Sequence, residues 1–237
     1  MNRILLMVLR NLGKLPGLYA KLCHHAKHAD QYPEQERYDN IRHIAQLVVA
    51  KGNVELKVTG MENVPEKDGF IFYPNHQGMF DIVALLDSCP RPFGVVFKIE
   101  LQNIPVLKQF IACTKSFAMD RADVRQSLTV IQNVAKEVQS GRNYVIFPEG
   151  TRSKKGNEMV EFHGGSFRAA LKAKCPIVPV AFLDSFKVLD QKGSAPVVVQ
   201  MHCLKPIPYE EYGQLKSVEV AELVKSRIAA VIEENLK

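Results

Sequence analysis

Beyond residue 52, short apolar runs alternate with longer amphipathic segments, and this alternation limits the possible folds more than any other feature of the sequence. Helical periodicity lies between most of the runs, for example in DVRQSLTVIQNVAKEVQSG, where Asp123 is the expected N-cap and Gly141 the expected stop. The apolar runs have the length and the β-branched or aromatic content of strands: VELKVTG, GFIFYPN, PFGVVFK, KSFAMD, NYVIF, PIVPVAF and PVVVQMHCL. The sequence therefore predicts an α/β domain over residues 53–237, with a mixed, largely parallel sheet flanked by helices.

The first 52 residues have a different pattern and are predicted to form an N-terminal helical segment. In MNRILLMVLRNLGKLPGLYAKL apolar residues recur at helical spacing, and Pro16 is expected to kink or split the helix. A further helix is predicted over about 34–51. The basic residues of the first helix are expected to share one face: Arg3, Arg10, Lys14 and Lys21.

This basic amphipathic start indicates a membrane-surface anchor, although it also fits an ordinary helix packed on the domain. No apolar run approaches the roughly 18–20 residues that cross a bilayer. The expected location is therefore peripheral, at the cytoplasmic face of the cell membrane.

The formal net charge of +6 favours anionic partners such as membrane surfaces, phosphorylated metabolites, acidic proteins or nucleic acid. Nucleic acid is not expected, because the chain has no nucleic-acid motif and no dense aromatic platform. The five cysteines are scattered without a CxxC pair, which predicts reduced thiols and no thiolate zinc site. His24, His25 and His28 have helical spacing, but no nearby Glu or Cys completes a metal site, so we interpret them as a basic helix face.

The stretch YPNHQGMFDIV places His76 on a turn between a strand ending near Tyr73 and a helix beginning near Asp81. Ligands of open α/β sheets tend to bind at the carboxyl ends of strands. If the turn folds back, Asp81 can accept a hydrogen bond from one imidazole nitrogen, and the other nitrogen becomes a competent general base. The alternative is a polar turn in which Asp81 only caps the helix.

The stretch FPEGTRS follows another predicted strand. Arg152 offers a planar set of donors suited to phosphate, and Gly150 allows backbone amides to approach an anion. Glu149 is a candidate either to hold Arg152 or to bind a substrate hydroxyl. The alternative is a surface turn with a weak Glu–Arg pair.

Two more strand ends carry cations. Lys98 and Glu100 follow PFGVVFK, and Arg121 follows KSFAMD. Each can be an ordinary solvated ion-pair partner. Together with Arg152, however, Lys98 and Arg121 place three cations at one edge of a parallel sheet, which makes that edge a candidate phosphate pocket.

With these residues in order, the chain resembles the glycerolipid acyltransferase family, and in particular its bacterial 1-acyl-sn-glycerol-3-phosphate acyltransferases. The resemblance covers about residues 55–185. The matching blocks are N-H-x4-D at Asn75, His76 and Asp81, K-x-E-L with a later D-R at Lys98, Glu100, Leu101, Asp120 and Arg121, F-P-E-G-T-R-S at 147–153, and V-P-V at Val178, Pro179 and Val180. Two positions depart from the family pattern: Gly78, where Ser is often found, and His163, where Lys is common. We expect these departures to affect substrate choice and not the reaction class.

The resemblance implies transfer of a fatty acyl group from acyl-CoA or acyl-carrier protein to the sn-2 hydroxyl of lysophosphatidic acid, giving phosphatidic acid. His76 would be the general base and Asp81 its orienting partner, with no metal and no cofactor besides the acyl donor. The implied acceptor-binding residues are Lys98, Arg121, Glu149, Gly150, Thr151 and Arg152. Two alternatives stay open: an acyltransferase for another lysophospholipid, and a non-catalytic lipid-binding or membrane-tethering module.

Overall fold

A computed structural model describes residues 3–236; residues 1 and 2 of the predicted N-terminal segment and residue 237 of the predicted domain lie outside it. Short 3₁₀ turns follow β1 and β3. The helices and strands are, in chain order, α1 (Arg3–Asn11), α2 (Leu15–Lys27), α3 (Glu34–Lys51), β1 (Val54–Thr59), β2 (Ile71–Pro74), α4 (Phe80–Ser88), β3 (Phe93–Lys98), α5 (Leu107–Thr114), β4 (Phe117–Met119), α6 (Val124–Gln139), β5 (Asn143–Val145), α7 (Gly164–Ala173), β6 (Ile177–Leu183), α8 (Phe186–Leu189), β7 (Val197–Cys203), α9 (Tyr209–Tyr212) and α10 (Ser217–Asn235).

The strands form one sheet in the order β1-β7-β6-β2-β5-β3-β4. Neighbouring strands run parallel except β6 and β7, which run antiparallel. The predicted mixed, largely parallel α/β sheet is therefore confirmed. Every residue of β2, β5 and β6 is buried, as expected for central strands that carry helices on both faces.

Side chains of the central strands alternate between two apolar cores. Ile71 and Tyr73 point to the core formed with α6, α7 and α10. Phe72 points to the core formed with α3 and α4, to which α1 and α2 also contribute Met7 and Leu22. Each face of the sheet is thereby covered, and the carboxyl ends of β2, β5 and β6 stay accessible at one edge. The sequence boundary at residue 52 falls between α3 and β1, and side chains on both sides of it share a core.

The N-terminal helix is split as expected, because α1 ends at Asn11 and Pro16 occupies the first turn of α2. The expected common basic face is wrong for Arg3, whereas Arg10 is exposed. Arg3 is buried and donates to the carbonyl oxygens of Gly52, Asn53 and Ala195, while Arg10 donates to the carbonyl oxygen of Lys51. The physical reason is that the carbonyls at the end of α3 lack helical partners, and these guanidinium groups satisfy them.

These hydrogen bonds set the rotation of α1. Its buried face contains Leu6 and Met7, whereas Leu5, Leu9 and Leu12 are about half or more exposed. Much of the apolar stripe seen in the sequence therefore faces solvent. Over residues 3–236, none of the helices is both long enough and apolar enough to cross a bilayer.

Candidate active site

The loop that carries His76 is fastened to the neighbouring strand by the residue before it. The Asn75 side chain accepts the backbone N–H of Phe182 at 2.7 Å and donates to the Phe182 carbonyl at 3.0 Å. The Asn75 backbone N–H also donates to the carbonyl of Val180 at 3.3 Å. Asn75 thereby extends the pairing of β2 with β6 by one residue, and it fixes the point at which the chain leaves the sheet.

His76 and Asp81 form the pair that the sequence predicts. His76 Nδ1 lies 2.7 Å from Asp81 Oδ2; the Asp81 side chain is fully buried, and the His76 side chain is 20% exposed. This contact leaves Nε2 as the imidazole nitrogen that can accept a substrate proton. Helix α4 begins at Phe80, and the Asp81 carboxylate turns back onto the preceding loop, where Oδ2 also accepts the N–H groups of Gln77 and Gly78. Asp81 therefore does more than cap a helix.

A further donor to Asp81 comes from beyond β6. The hydroxyl of Ser185 is buried against Asp81 Oδ1, and it also lies 3.1 Å from Gln77 Oε1. Two backbone amides, one hydroxyl and one imidazole thus surround the buried carboxylate, which offsets the cost of removing it from water. The sequence analysis missed Ser185, because no motif marks the residues that follow the fourth block.

Glu149 binds the backbone of the His76 loop. Its Oε1 accepts the N–H of His76 at 2.7 Å, and its Oε2 accepts the N–H of Val160 at 3.1 Å. The side chain is buried, and this burial raises the pKa of Glu149 above the ordinary carboxyl value, while the two amides oppose the rise. The suggestion that Glu149 holds Arg152 is wrong, because the partner of Arg152 is a different carboxylate.

Two more contacts join the FPEGTRS loop to His76. The backbone N–H of Ser153 donates to the carbonyl of His76 at 2.9 Å. The Phe147 ring packs against the imidazole, with ring centroids 4.0 Å apart. Together with Glu149, this loop therefore holds both backbone polar groups of His76 and one face of its ring.

Arg152 pairs with Asp190, the residue that caps the C-terminus of α8. Asp190 Oδ2 also accepts the backbone N–H of Met79 at 3.0 Å. The sequence analysis did not single out Asp190, because it lies 38 residues from Arg152 and outside every motif.

The other two expected cations lie in different surroundings. Lys98 Nζ is 2.6 Å from Glu100 Oε1 on the exposed surface, and this contact lowers the pKa of the Glu100 carboxyl. Arg121 lies beside Gly150, where a Cβ would be 3.8 Å from the guanidinium carbon and 3.2 Å from the His163 ring. Gly150 has a φ of +66°, which favours glycine at this turn.

The structure thus brings Arg121, Gly150 and His163 together, while the side chains of Arg152 and Lys98 are held by Asp190 and Glu100. Thr151 is exposed in the same loop. His163 is a departure from the family pattern noted in the sequence, and its position beside the loop could not be read from the sequence alone.

A pocket of about 340 Å³ opens next to these residues. Phe147 and Ile146 contribute to its wall, so the pocket begins at the ring that packs on His76. Arg121, His163 and Arg168 supply its basic side chains and Ser127 and Ser166 its hydroxyls, while most of the remaining lining is apolar and comes from β3, β4 and α6. The pocket suits a ligand with an apolar body and an anionic end.

Neither a metal cluster nor a disulfide was expected from the sequence. Among residues 3–236, no group of three or more His, Cys, Asp or Glu side chains could hold a metal ion. The five cysteines are free thiols. His24 contacts Tyr32 through Nε2 at 2.9 Å, and its ring packs on that of His28.

A sheet that is mostly parallel and a histidine–carboxylate pair at its carboxyl edge, next to an apolar pocket, define an α/β protein with an enzyme-type site. The acyltransferase family model matches residues 55–183, more than half of the chain. The chain therefore belongs to the acyltransferase family and is a transferase.

Individual relatives agree with this assignment. The chain is 28% identical over 208 residues to the 1-acyl-sn-glycerol-3-phosphate acyltransferase of Saccharomyces cerevisiae, over 81% of this chain and 68% of the relative. It is 32% identical over 171 residues to the enzyme of the same name from Salmonella typhimurium, over 69% of each chain. A solved structure is also similar: the 1-acyl-sn-glycerophosphate acyltransferase PlsC from Thermotoga maritima superposes on this chain with a TM-score of 0.75. The superposition covers 98% of this chain and 96% of PlsC at 18% sequence identity, and this similarity supports the fold.

Proposed function

We propose that this chain transfers a fatty acyl group from acyl-CoA or acyl-carrier protein to the sn-2 hydroxyl of 1-acylglycerol 3-phosphate, giving phosphatidic acid for phospholipid synthesis. The names of the relatives support the acceptor and the product. The observation that carries the proposal is the His76–Asp81 pair, whose carboxylate is fully buried while the imidazole keeps some exposure.

In the proposed reaction Nε2 of His76 takes the proton of the acceptor hydroxyl. The hydroxyl oxygen forms a bond to the thioester carbonyl carbon, and the carbon–sulfur bond then breaks. The departing thiolate takes the proton back from the imidazolium, so the enzyme ends the cycle unchanged. Asp81 holds the imidazole in the required tautomer and stabilises its cationic form, and general base catalysis of this kind contributes about 10²- to 10⁴-fold in rate.

We assign the acceptor's phosphate to the cations around the FPEGTRS loop. Arg121 lies beside Gly150, Arg152 follows Gly150 by two residues in the loop, and Lys98 and Arg121 share the neighbour Glu100. A charge-assisted hydrogen bond contributes about 1.5–3 kcal/mol, and several of them would place the hydroxyl beside His76. Thr151 and Gly150 supply the exposed part of the loop. Glu149 acts through the His76 backbone and not on the substrate, because its carboxylate is buried.

The apolar pocket beside Phe147 is proposed to take an acyl chain, since it begins next to the base and has mostly apolar walls. Burial of each methylene there contributes about 0.8 kcal/mol.

The membrane surface is proposed to bind the exposed apolar face of α1, which carries Leu5, Val8 and Leu9, together with the exposed Leu12 that directly follows the helix. Helix α1 packs on α3 and α8, and α8 lies between Ser185 and Asp190 of the site. Contact of this face with a bilayer would therefore bring the site close to lipid substrates. The proposed location is the cytoplasmic face of the cell membrane, as a peripheral protein.

The test is thiol release from acyl-CoA and from acyl-carrier protein, with lysophosphatidate and with other lysophospholipids as acceptors. His76→Ala should lower kcat at least about 10²-fold while the protein stays folded, because it removes the base. His43→Ala, which changes an exposed histidine on α3, is the control and should keep wild-type kcat. Near-normal kcat in His76→Ala would refute the base assignment, and no thiol release by wild type with either donor would favour the lipid-binding or tethering module.

A further inference from the structure

The guanidinium that the proposed function assigns to the acceptor's phosphate is already bound to a carboxylate of the same chain. Arg152 pairs with Asp190 Oδ1, and the other oxygen of Asp190 accepts the Met79 N–H at 3.0 Å. The two side chains are 37% and 21% exposed, so the pair is only partly screened by solvent. The Asp190 carboxylate thus links the FPEGTRS loop to the residue before α4, three positions after His76.

Gly78 provides the space for this carboxylate. A Cβ at residue 78 would lie 2.5 Å from Asp190 Oδ2 and 3.0 Å from the Cα of Phe186. The second contact is to backbone, so the carboxylate and α8 cannot both keep these positions if residue 78 carries a side chain. Gly78 and Asp190 therefore form a matched pair, and this gives a physical reason for glycine where the family pattern often has Ser.

We propose that Asp190 is a specificity-determining residue, which competes with the acceptor's phosphate for Arg152. The inference rests on the proposed function, in which Arg152 binds that phosphate. A phosphate that reaches Arg152 must either displace the carboxylate, which costs the Arg152–Asp190 ion pair, or bind beside it, which costs the repulsion between two anions. Asp190 therefore weakens the binding of an acceptor whose head group is a phosphate monoester.

The same geometry treats a zwitterionic acceptor differently. A head group with a cation next to its phosphate can pair with Asp190 and Arg152 together, so it does not have to break the contact without replacement. Asp190 thus narrows the difference in affinity between lysophosphatidate and a zwitterionic lysophospholipid. If Asp190 only positioned Arg152 for the phosphate, loss of the Asp190 charge would weaken the binding of lysophosphatidate instead of strengthening it.

The decisive variant is Asp190→Asn, which keeps the shape of the side chain and an oxygen for the Met79 N–H but removes the charge. Calorimetric titration of the full chain with lysophosphatidate in neutral detergent micelles should show a Kd about three- to tenfold lower than that of wild type. The Kd for lysophosphatidylethanolamine should stay the same or rise.

Two controls isolate the contact. Glu211→Gln makes the same change of net charge in an exposed ion pair with Arg227, between α9 and α10, and should leave both Kd values unchanged. In an Arg152→Ala background, Asp190→Asn should no longer improve the binding of lysophosphatidate, because its effect passes through Arg152.

An unchanged or higher Kd for lysophosphatidate in Asp190→Asn would overturn the inference, and so would an equal improvement in the Arg152→Ala background. Binding is measured separately from turnover. A wild-type protein that binds lysophosphatidate but transfers no acyl group would refute the proposed function alone, whereas no binding by wild type and variant would refute both.

Discussion

Substitution of Asp81 by Asn removes the negative charge beside His76 but keeps the shape of the side chain. The Asn carbonyl oxygen can accept the three hydrogen bonds that Asp81 Oδ2 accepts from His76 Nδ1 and from the amides of Gln77 and Gly78. The Asn amide group would then face the Ser185 hydroxyl, which can accept this bond and donate its own hydrogen to Gln77 Oε1, 3.1 Å away. The free energy of unfolding should therefore change by less than about 1 kcal/mol.

The rate should fall far more than the stability, because in the proposed mechanism an imidazolium forms when His76 takes the hydroxyl proton. Two unit charges about 4 Å apart interact by about 4 kcal/mol at an effective dielectric constant of about 20. The His76 side chain is 20% exposed, and the Asn dipole retains part of the attraction. We therefore expect a net loss of about 2–3 kcal/mol in transition-state stabilisation, which is about 30- to 150-fold in kcat.

The assay is thiol release at saturating donor and lysophosphatidate, with unfolding in urea measured in parallel. Asp87→Asn, the same change at the other end of α4, is the control and should keep wild-type kcat. Refutation would be a kcat for Asp81→Asn within about threefold of wild type in a folded protein.

Further predictions concern the buried carboxylate of the loop and the exposed face of α1. Glu149→Gln should lower the free energy of unfolding by about 1–3 kcal/mol, because an amide group cannot accept both backbone N–H groups. The control is Glu161→Gln, at a side chain that is 86% exposed, and it should change the free energy of unfolding by less than about 0.5 kcal/mol. Equal effects of the two substitutions would contradict the burial argument. Burial raises the pKa of Glu149, so the stability linked to this shift is fully present below the ordinary carboxyl pKa and is lost as the pH rises through the pKa of the folded state. The difference in free energy of unfolding between wild type and Glu149→Gln should therefore become smaller as the pH rises through that range. A difference that does not depend on pH would contradict this prediction. The double variant Leu9→Asp/Leu12→Asp should sediment with anionic vesicles at least about tenfold less than wild type. Val218→Asp, at an exposed site of α10, is the control and should sediment like wild type. Unchanged sedimentation of the double variant would refute the membrane contact.

The site shows why the first, third and fourth sequence blocks occur together. Asn75 of the first block pairs with the backbone of Phe182, just after the fourth block, and Ser185 follows three residues later to bind Asp81. Glu149 of the third block holds the backbone of His76. The first block thus owes its geometry to strands β5 and β6 on either side of β2, and residues in and just after the third and fourth blocks position His76 and Asp81.

Local patterns in the sequence were enough to predict the fold class and the contact between His76 and Asp81. Periods of two and of 3.6 residues predict strands and helices directly, and the alternation of the two predicts a largely parallel sheet. His76 and Asp81 are five residues apart across one strand-to-helix turn, so their contact depends mainly on that turn. Lys98, Arg121 and Arg152 each end or follow a predicted strand, and parallel pairing of those strands predicts them at one edge of the sheet.

Tertiary structure decided which partners the charged groups have. Arg152 pairs with Asp190, 38 residues away, and Ser185 reaches Asp81 across 104 residues. Arg3, expected on a basic surface, is buried against the end of α3. Such contacts depend on the order of strands in the sheet and on the rotation of each helix about its axis. Periodicity along the chain does not encode either quantity, because many strand orders and helix rotations bury the same apolar residues.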